Sequence, residues 1–155
     1  MMPTVIRNTP ACLIPKELCN EEKIQEYWNV LSVNPHQERI TKDDLGDFFL
    51  LYPNKEWDAI HEISFMYQNF QKQFPEQNHA ICLNVYETGF HILAIKDAKI
   101  VYVGYFQSSV NEDIMYHLAN ITQQFFENIS VTFFYQQLPV SVLRLLNNYY
   151  EFKKM

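Results

Sequence analysis

The chain has 155 residues, 48% of them apolar and 15% aromatic, and a formal net charge of −6. That is the size and composition of one globular domain with a real core, which excludes a disordered chain and leaves no room for two ordinary domains. The acidic balance, with only 12 scattered Lys and Arg, argues against binding along a nucleic-acid backbone, which needs clustered cations.

In chain order, MMPTVIRNTPACLIPKEL carries Pro3, Pro10 and Pro15 and no continuous apolar run. It reads as an arm, residues 1–19, and not as a secretion signal. Residues 20–155 read as a single α/β domain with a lead-in segment over 20–78. Asn20 caps a helix predicted over Glu21–Val33, where Ile24, Tyr27, Trp28 and Leu31 share one face. A strand is expected over Gln37–Thr41, a turn or short helix over Asp43–Gly46, and an apolar strand over Phe48–Tyr52, ended by Pro53. Asn54 is expected to cap a second helix over Lys55–Gln73, with Trp57, Ile60 and Ile63 or Ser64 as an imperfect stripe, extended by Tyr67 and Phe70. Glu76–Asn78 is a polar link.

Three strands follow, about Ala80–Tyr86, Phe90–Lys96 and Lys99–Phe106. Both alternating faces are apolar, the mark of a sheet covered on both sides. Glu87-Thr88-Gly89 supplies the first turn, with Gly89 expected at positive φ, and Lys96-Asp97-Ala98-Lys99 the second. Ser109-Val-Asn-Glu112 matches a capping box opening a helix whose seam is Ile114, Leu118, Ile121 and Phe125. Ser130–Tyr135 is β-branched and aromatic, hence a strand, and the helical crossover before it implies parallel pairing. Pro139 fits the first turn of a last helix with Val142, Leu145, Leu146 and Tyr149 inward. The βββα order is the opening of a ribonuclease-H-like domain, the half-unit of actin-like ATPases.

Several stretches carry a family resemblance: CLIPKELCNEEKIQEYW, DDLGDFFLLYP, AIKDAKIVYVGYF, NEDIMYHL and VLRLLNNYYEF, in that order. From Ala11 onward the chain resembles a bacterial family of unknown function, domain of unknown function 3822, with an actin-like ATPase fold. The resemblance implies two ribonuclease-H-like halves in the family, of which this chain looks like the C-terminal one plus the joining segment. A nucleotide in such a fold lies between the halves, so one half would form only part of that site.

The residues offer little for catalysis. An actin-like phosphate turn needs a carboxylate and small residues at the end of the first strand. Glu87, Thr88 and Gly89 are a faint echo of it, the one place where ATP with Mg would be bound, and a plain hairpin turn explains them as well. The three glycines form no Walker loop. A nuclease of this fold needs converging carboxylates. Here the first strand offers Asn84, VTFFYQQ offers no acid, and Glu112 and Asp113 are explained by the helix start. His36, His61, His79, His91 and His117 show no metal spacing, and His61 and His117 read as surface or satisfied interface residues on helix flanks. No apolar run approaches a membrane span. Cys12, Cys19 and Cys82 show neither metal spacing nor disulfide density; Cys82 reads as core, and Cys12 and Cys19 pair only if the fold joins them.

Adjacent aromatics such as Phe48-Phe49 and Phe133-Phe134 point to opposite strand faces, so they cannot share one core. Either the sheet is buried on both sides by this chain, or a partner, a second copy or a missing half covers one face. The expected function is a non-catalytic cytoplasmic interaction or scaffold module that self-associates or binds a protein partner. The alternative is a nucleotide-binding actin-like domain acting with a second half.

Overall fold

A computed structural model describes residues 3–7, 9–31, 39–56 and 58–155. The described residues of the arm include extended segments. They form strands β1 (Thr4–Ile6) and β2 (Cys12–Pro15), followed by short 3-10 turns at Lys16–Leu18 and Glu21–Lys23. Asn20 caps the second turn by accepting from the Glu22 N–H, as its side-chain chemistry dictates, and helix α1 (Ile24–Leu31) continues from it. The expected helix end at Val33 and the strand start at Gln37 lie outside the described residues.

Strand β3 (Ile40–Leu45) runs straight through Asp43 and Asp44, where a turn or short helix was expected. The turn falls at Gly46, whose φ of 75° only glycine adopts freely. Strand β4 (Phe48–Pro53) then pairs antiparallel with both β3 and β2. The helix expected from Lys55 begins seven residues later. Asn54 accepts from the Glu56 N–H in a local turn, and a short strand β5 (Ala59–His61) precedes helix α2 (Glu62–Gln73). His61 is the true cap, its Nδ1 accepting from the Ile63 N–H. Trp57 lies outside the described residues.

The meander is as read: β6 (Ala80–Tyr86), β7 (Gly89–Lys96) and β8 (Lys99–Phe106), antiparallel in turn. Helix α3 (Asn111–Phe126) follows. The Ser109–Glu112 capping box does not form; Val110 is the cap position, and Ser108 Oγ accepts the Val110 N–H and donates to Asp113. Strand β9 (Thr132–Tyr135) pairs parallel with β6, as the crossover implied. Helix α4 (Val140–Leu146) starts just after Pro139 and is shorter than expected. Tyr149 is exposed rather than inward, and the tail returns as a strand, β10 (Phe152–Lys154), parallel to β9.

The central sheet therefore has the order β10-β9-β6-β7-β8. One face packs Ile81, Leu83, Phe90 and Ile92 under Ile114, Leu118 and Ile121 of α3 and Leu146 of α4. The other packs Cys82, Leu93 and Phe134 under α2 and the β2-β4-β3 sheet, through Phe70, Met66, Leu50 and Tyr52. The adjacent aromatics are thus accommodated by two cores of the same chain, with Phe133 in one and Phe134 in the other. Helix α1 lays Trp28, fully buried, on the outer face of the small sheet against Ile14 and Leu51.

Candidate functional site

In open α/β sheets ligands sit beyond the carboxyl ends of the parallel strands. Here those ends belong to β6 and β9, and buried polar groups gather there. Asn84, alone among the residues of β6 in carrying an amide, is fully buried. Its Nδ2 donates to Glu62 Oε1 at 2.6 Å, and its Oδ1 accepts from the Gln136 and Gln137 N–H groups at 2.9 and 3.0 Å. Both ends of the amide are used, which is what burial of such a group demands.

Glu62 opens α2, where the helix dipole favours a carboxylate. It is 2% exposed and also accepts from the Tyr86 hydroxyl. Its Oε2 has no hydrogen bond and faces the Arg7 Nε at 3.5 Å. The Arg7 guanidinium lies over the Tyr86 ring, 5.1 Å from its centroid. Burial, with the hydrogen bond to Glu62, pushes the Tyr86 phenol well above its ordinary value; Arg7 pulls weakly the other way.

Beside this carboxylate lie two buried histidines. His61 Nε2 donates to the Thr9 carbonyl at 2.8 Å, while its backbone N–H donates to Asp43 Oδ2 at 3.1 Å. Tyr52 hydroxyl donates to the other Asp43 oxygen at 2.8 Å. Burial holds His61 down to about 4, partly offset by Thr9 and Asp43. His91 stands edge to face with His61, 5.5 Å between centroids, and stacks on Tyr105 at 4.8 Å. Neither of its ring nitrogens has a partner, and burial, helped by His61, lowers it to about 3.

Glu87 and Thr88 sit exposed at the tip of the β6–β7 turn, beyond Tyr86. Gly89 is buried and is not at the positive φ expected of it. Its role is close approach: a Cβ there would lie 2.4 Å from the Phe106 carbonyl oxygen. The left-handed residues are instead Asp97 and Ala98 of the β7–β8 turn, at φ 52° and 60°. Of the other histidines, His117 stacks on Phe106 at 3.8 Å, His79 lies 3.8 Å from Asp97, and His36 is outside the described residues. Cys12, Cys19 and Cys82 are free thiols, and burial raises Cys82.

An open cleft of about 800 Å³ lies at the opposite end of the sheet, by the β7–β8 turn. Its charges are largely matched in pairs, Lys16 to Asp44 at 2.6 Å and Lys99 to Asp47 at 3.8 Å. Size alone therefore does not make it the better candidate; the buried polar nexus at the carboxyl ends has the chemistry.

The family described as protein of unknown function (DUF3822) matches residues 4–132. The chain belongs to this family. The sequence resemblance is thereby borne out, and it extends ahead of Ala11 to β1. No curated protein matches this DUF3822 chain. Among solved structures it is similar to a protein with actin-like ATPase fold and unknown function from Bacteroides thetaiotaomicron VPI-5482. The TM-score is 0.80 at 13% identity, over 97% of this chain and 66% of that one, a likeness of fold. The DUF3822 chain thus spans just under two thirds of that protein's length. Sequence reasoning weighed Asn84 and His61 separately and passed over Glu62, Tyr86 and Arg7. The available signal was a His-Glu pair ahead of an amphipathic run and a lone amide in an otherwise apolar strand. Among the described residues, no helix is long and apolar enough to cross a membrane.

Proposed function

We propose that this chain is a non-catalytic cytoplasmic interaction module on a degenerate actin-like frame, self-associating or bound to a protein partner. The observation that carries the reading is Asn84. It stands on the first meander strand, where a ribonuclease-H-like site would need a metal-binding carboxylate, and its amide is wholly taken up by Glu62 and two backbone N–H groups. The hairpin turn beyond it fits a phosphate equally poorly. Gly89, the residue that would let backbone approach a phosphate, is pressed against the Phe106 carbonyl. The strand order, antiparallel across β6-β7-β8 and parallel across β6-β9-β10, supports reading the central sheet as the ribonuclease-H-like half. On that reading residues 20–155 are the domain and residues 1–19 its N-terminal arm.

The second reading is a nucleotide-binding actin-like domain completed by another half, with Glu87, Thr88 and Gly89 at the phosphate. The fold of the Bacteroides protein and the share of it spanned favour this alternative. Thermal unfolding with and without Mg·ATP separates the two. A ligand at about 100 times its Kd stabilises by roughly 2.7 kcal/mol, several degrees for a chain of this size. No shift is expected; a clear shift overturns the first reading. Light scattering across a concentration series tests association, and a monomer throughout that retains no partner counts against it.

A further inference from the structure

Strand β1 is held by few contacts. It pairs in parallel with β5 alone, Thr4 with Ala59, Val5 with Ile60 and Ile6 with His61, as a separate two-stranded sheet. A pair of that length is not stable by itself. Its other holds are the half-buried Ile6 on the α2-side core, Arg7 on Glu62 and over Tyr86, and the Thr9 carbonyl on His61. Ala11 is packed against that same core, so a loosening of β1 stops at Pro10.

The His61 ring is committed at both nitrogens. A carbonyl only accepts, so Nε2 carries the hydrogen that reaches Thr9; a backbone N–H only donates, so Nδ1 is bare where it caps α2 at Ile63. A second proton can therefore go only to Nδ1, where it sets donor against donor at the cap. Turning the ring to relieve that contact carries Nε2 off Thr9. The cation would also be buried, because His61 has no exposed surface.

The groups around the ring are Asp43 from β3, which accepts the His61 backbone N–H, Tyr52 from β4, His91 from β7 with Tyr105 of β8 behind it, and Glu62 with its partners Arg7 and Tyr86. Asp43 favours the cation, but burial outweighs it, so the closed site resists the proton. Tyr52 and Ile63 belong to the α2-side core, and His91 is fixed on β7. The side on which the ring is most easily uncovered is that of Thr9 and β1.

We propose that β1 is an acid-released clasp: a second proton on His61 detaches Thr9 and β1 from β5 as far as Pro10, leaves both cores of the central sheet folded, and uncovers Glu62 and Tyr86. This release does not depend on which of the two readings of function holds.

A free imidazole titrates at 6.5 and the closed His61 at about 4, so the open form takes up the proton first and opening grows as pH falls through 6.5 toward 4. Between pH 7.5 and 5.0 the opening equilibrium should rise about thirtyfold on account of His61. Amide exchange of the whole chain, read by mass spectrometry and corrected for the chemical rate at each pH, gives that equilibrium for β1 and β5, while β6 and β7 report global unfolding. The segments β1 and β5 should exchange faster than β6 and β7 at both pH values. In His61→Asn, whose side-chain oxygen can still accept from Ile63 but does not titrate, the rise should be about thirtyfold smaller. His61→Gln repeats the comparison should the first variant disturb folding. An equal rise in parent and variant overturns the proposal. So does exchange of β1 and β5 that keeps step with β6 and β7, because the opening would then be unfolding of the whole chain.

Discussion

Replacing His91 by leucine turns the buried histidine pair into a measurement. In the folded chain His91 titrates at about 3 and His61 at about 4, against 6.5 for an ordinary imidazole. Both folded values are depressed, so the neutral rings stabilise the fold above about pH 6.5, and that contribution is lost as pH falls toward 4 and 3. At pH 5.0 the 1.5-unit gap from the ordinary value corresponds to about 2 kcal/mol for each ring. Leucine is close to histidine in volume and removes two nitrogens that have no partner. At pH 7.5 that relieves about 1–3 kcal/mol of desolvation, reduced by roughly 1 kcal/mol for the lost stack on Tyr105. Urea unfolding followed by circular dichroism at pH 7.5 and 5.0 gives both numbers. The variant should be at least as stable as the parent at pH 7.5 and gain about a further 2 kcal/mol on it at pH 5.0. A difference that stays constant between the two pH values would refute the reasoning, because His91 would then not be buried neutral.

The other predictions concern the same end of the sheet and the opposite turn. Gly89→Ala should cost about 2 kcal/mol or more in chemical denaturation, since the new Cβ meets the Phe106 carbonyl oxygen at 2.4 Å and backbone cannot yield cheaply. Glu62→Gln should lower the Tyr86 titration, read by ultraviolet absorbance, because the carboxylate charge that helps raise it is gone, while burial still holds it above an ordinary phenol. Glu62→Ala should cost about 3 kcal/mol, as it strips the acceptor from Asn84 and Tyr86, and much less would mean the network is slack. Ala98→Gly should raise stability by about 1 kcal/mol in thermal unfolding, because Ala98 sits at φ 60°.

Much of the architecture was legible from patterning. The meander, its turns, the helix seam at Ile114, Leu118 and Ile121, and the parallel return of β9 all follow from local periodicity of two or 3.6 residues. Burial on both faces was visible in β6, where apolar residues occupy both alternating positions from Ala80 to Val85 save Asn84. The polar site was not legible. Asn84 in the sequence is one amide among apolar neighbours, and nothing local says that Glu62, 22 positions earlier, supplies its acceptor.

The failures share a cause. Asn54 has the chemistry of a helix cap, but it serves a local turn, and β5 forms because β1 is there to pair with it. Ser109 and Glu112 satisfy a capping pattern that loses to Ser108, whose hydroxyl accepts the Val110 N–H and donates to Asp113. Phe152–Lys154 and Thr4–Ile6 are too short to announce themselves as strands and exist only through partners distant in sequence. By itself the sequence determined which segments are amphipathic, where the chain turns and that both faces of the central sheet need cover, since those depend on residues within one or two turns. Only the tertiary structure decided which short segments become strands and how Arg7, Glu62, Asn84 and Tyr86 meet. Unpaired backbone and buried charge are satisfied by whatever the fold brings near, and that is not written in local spacing.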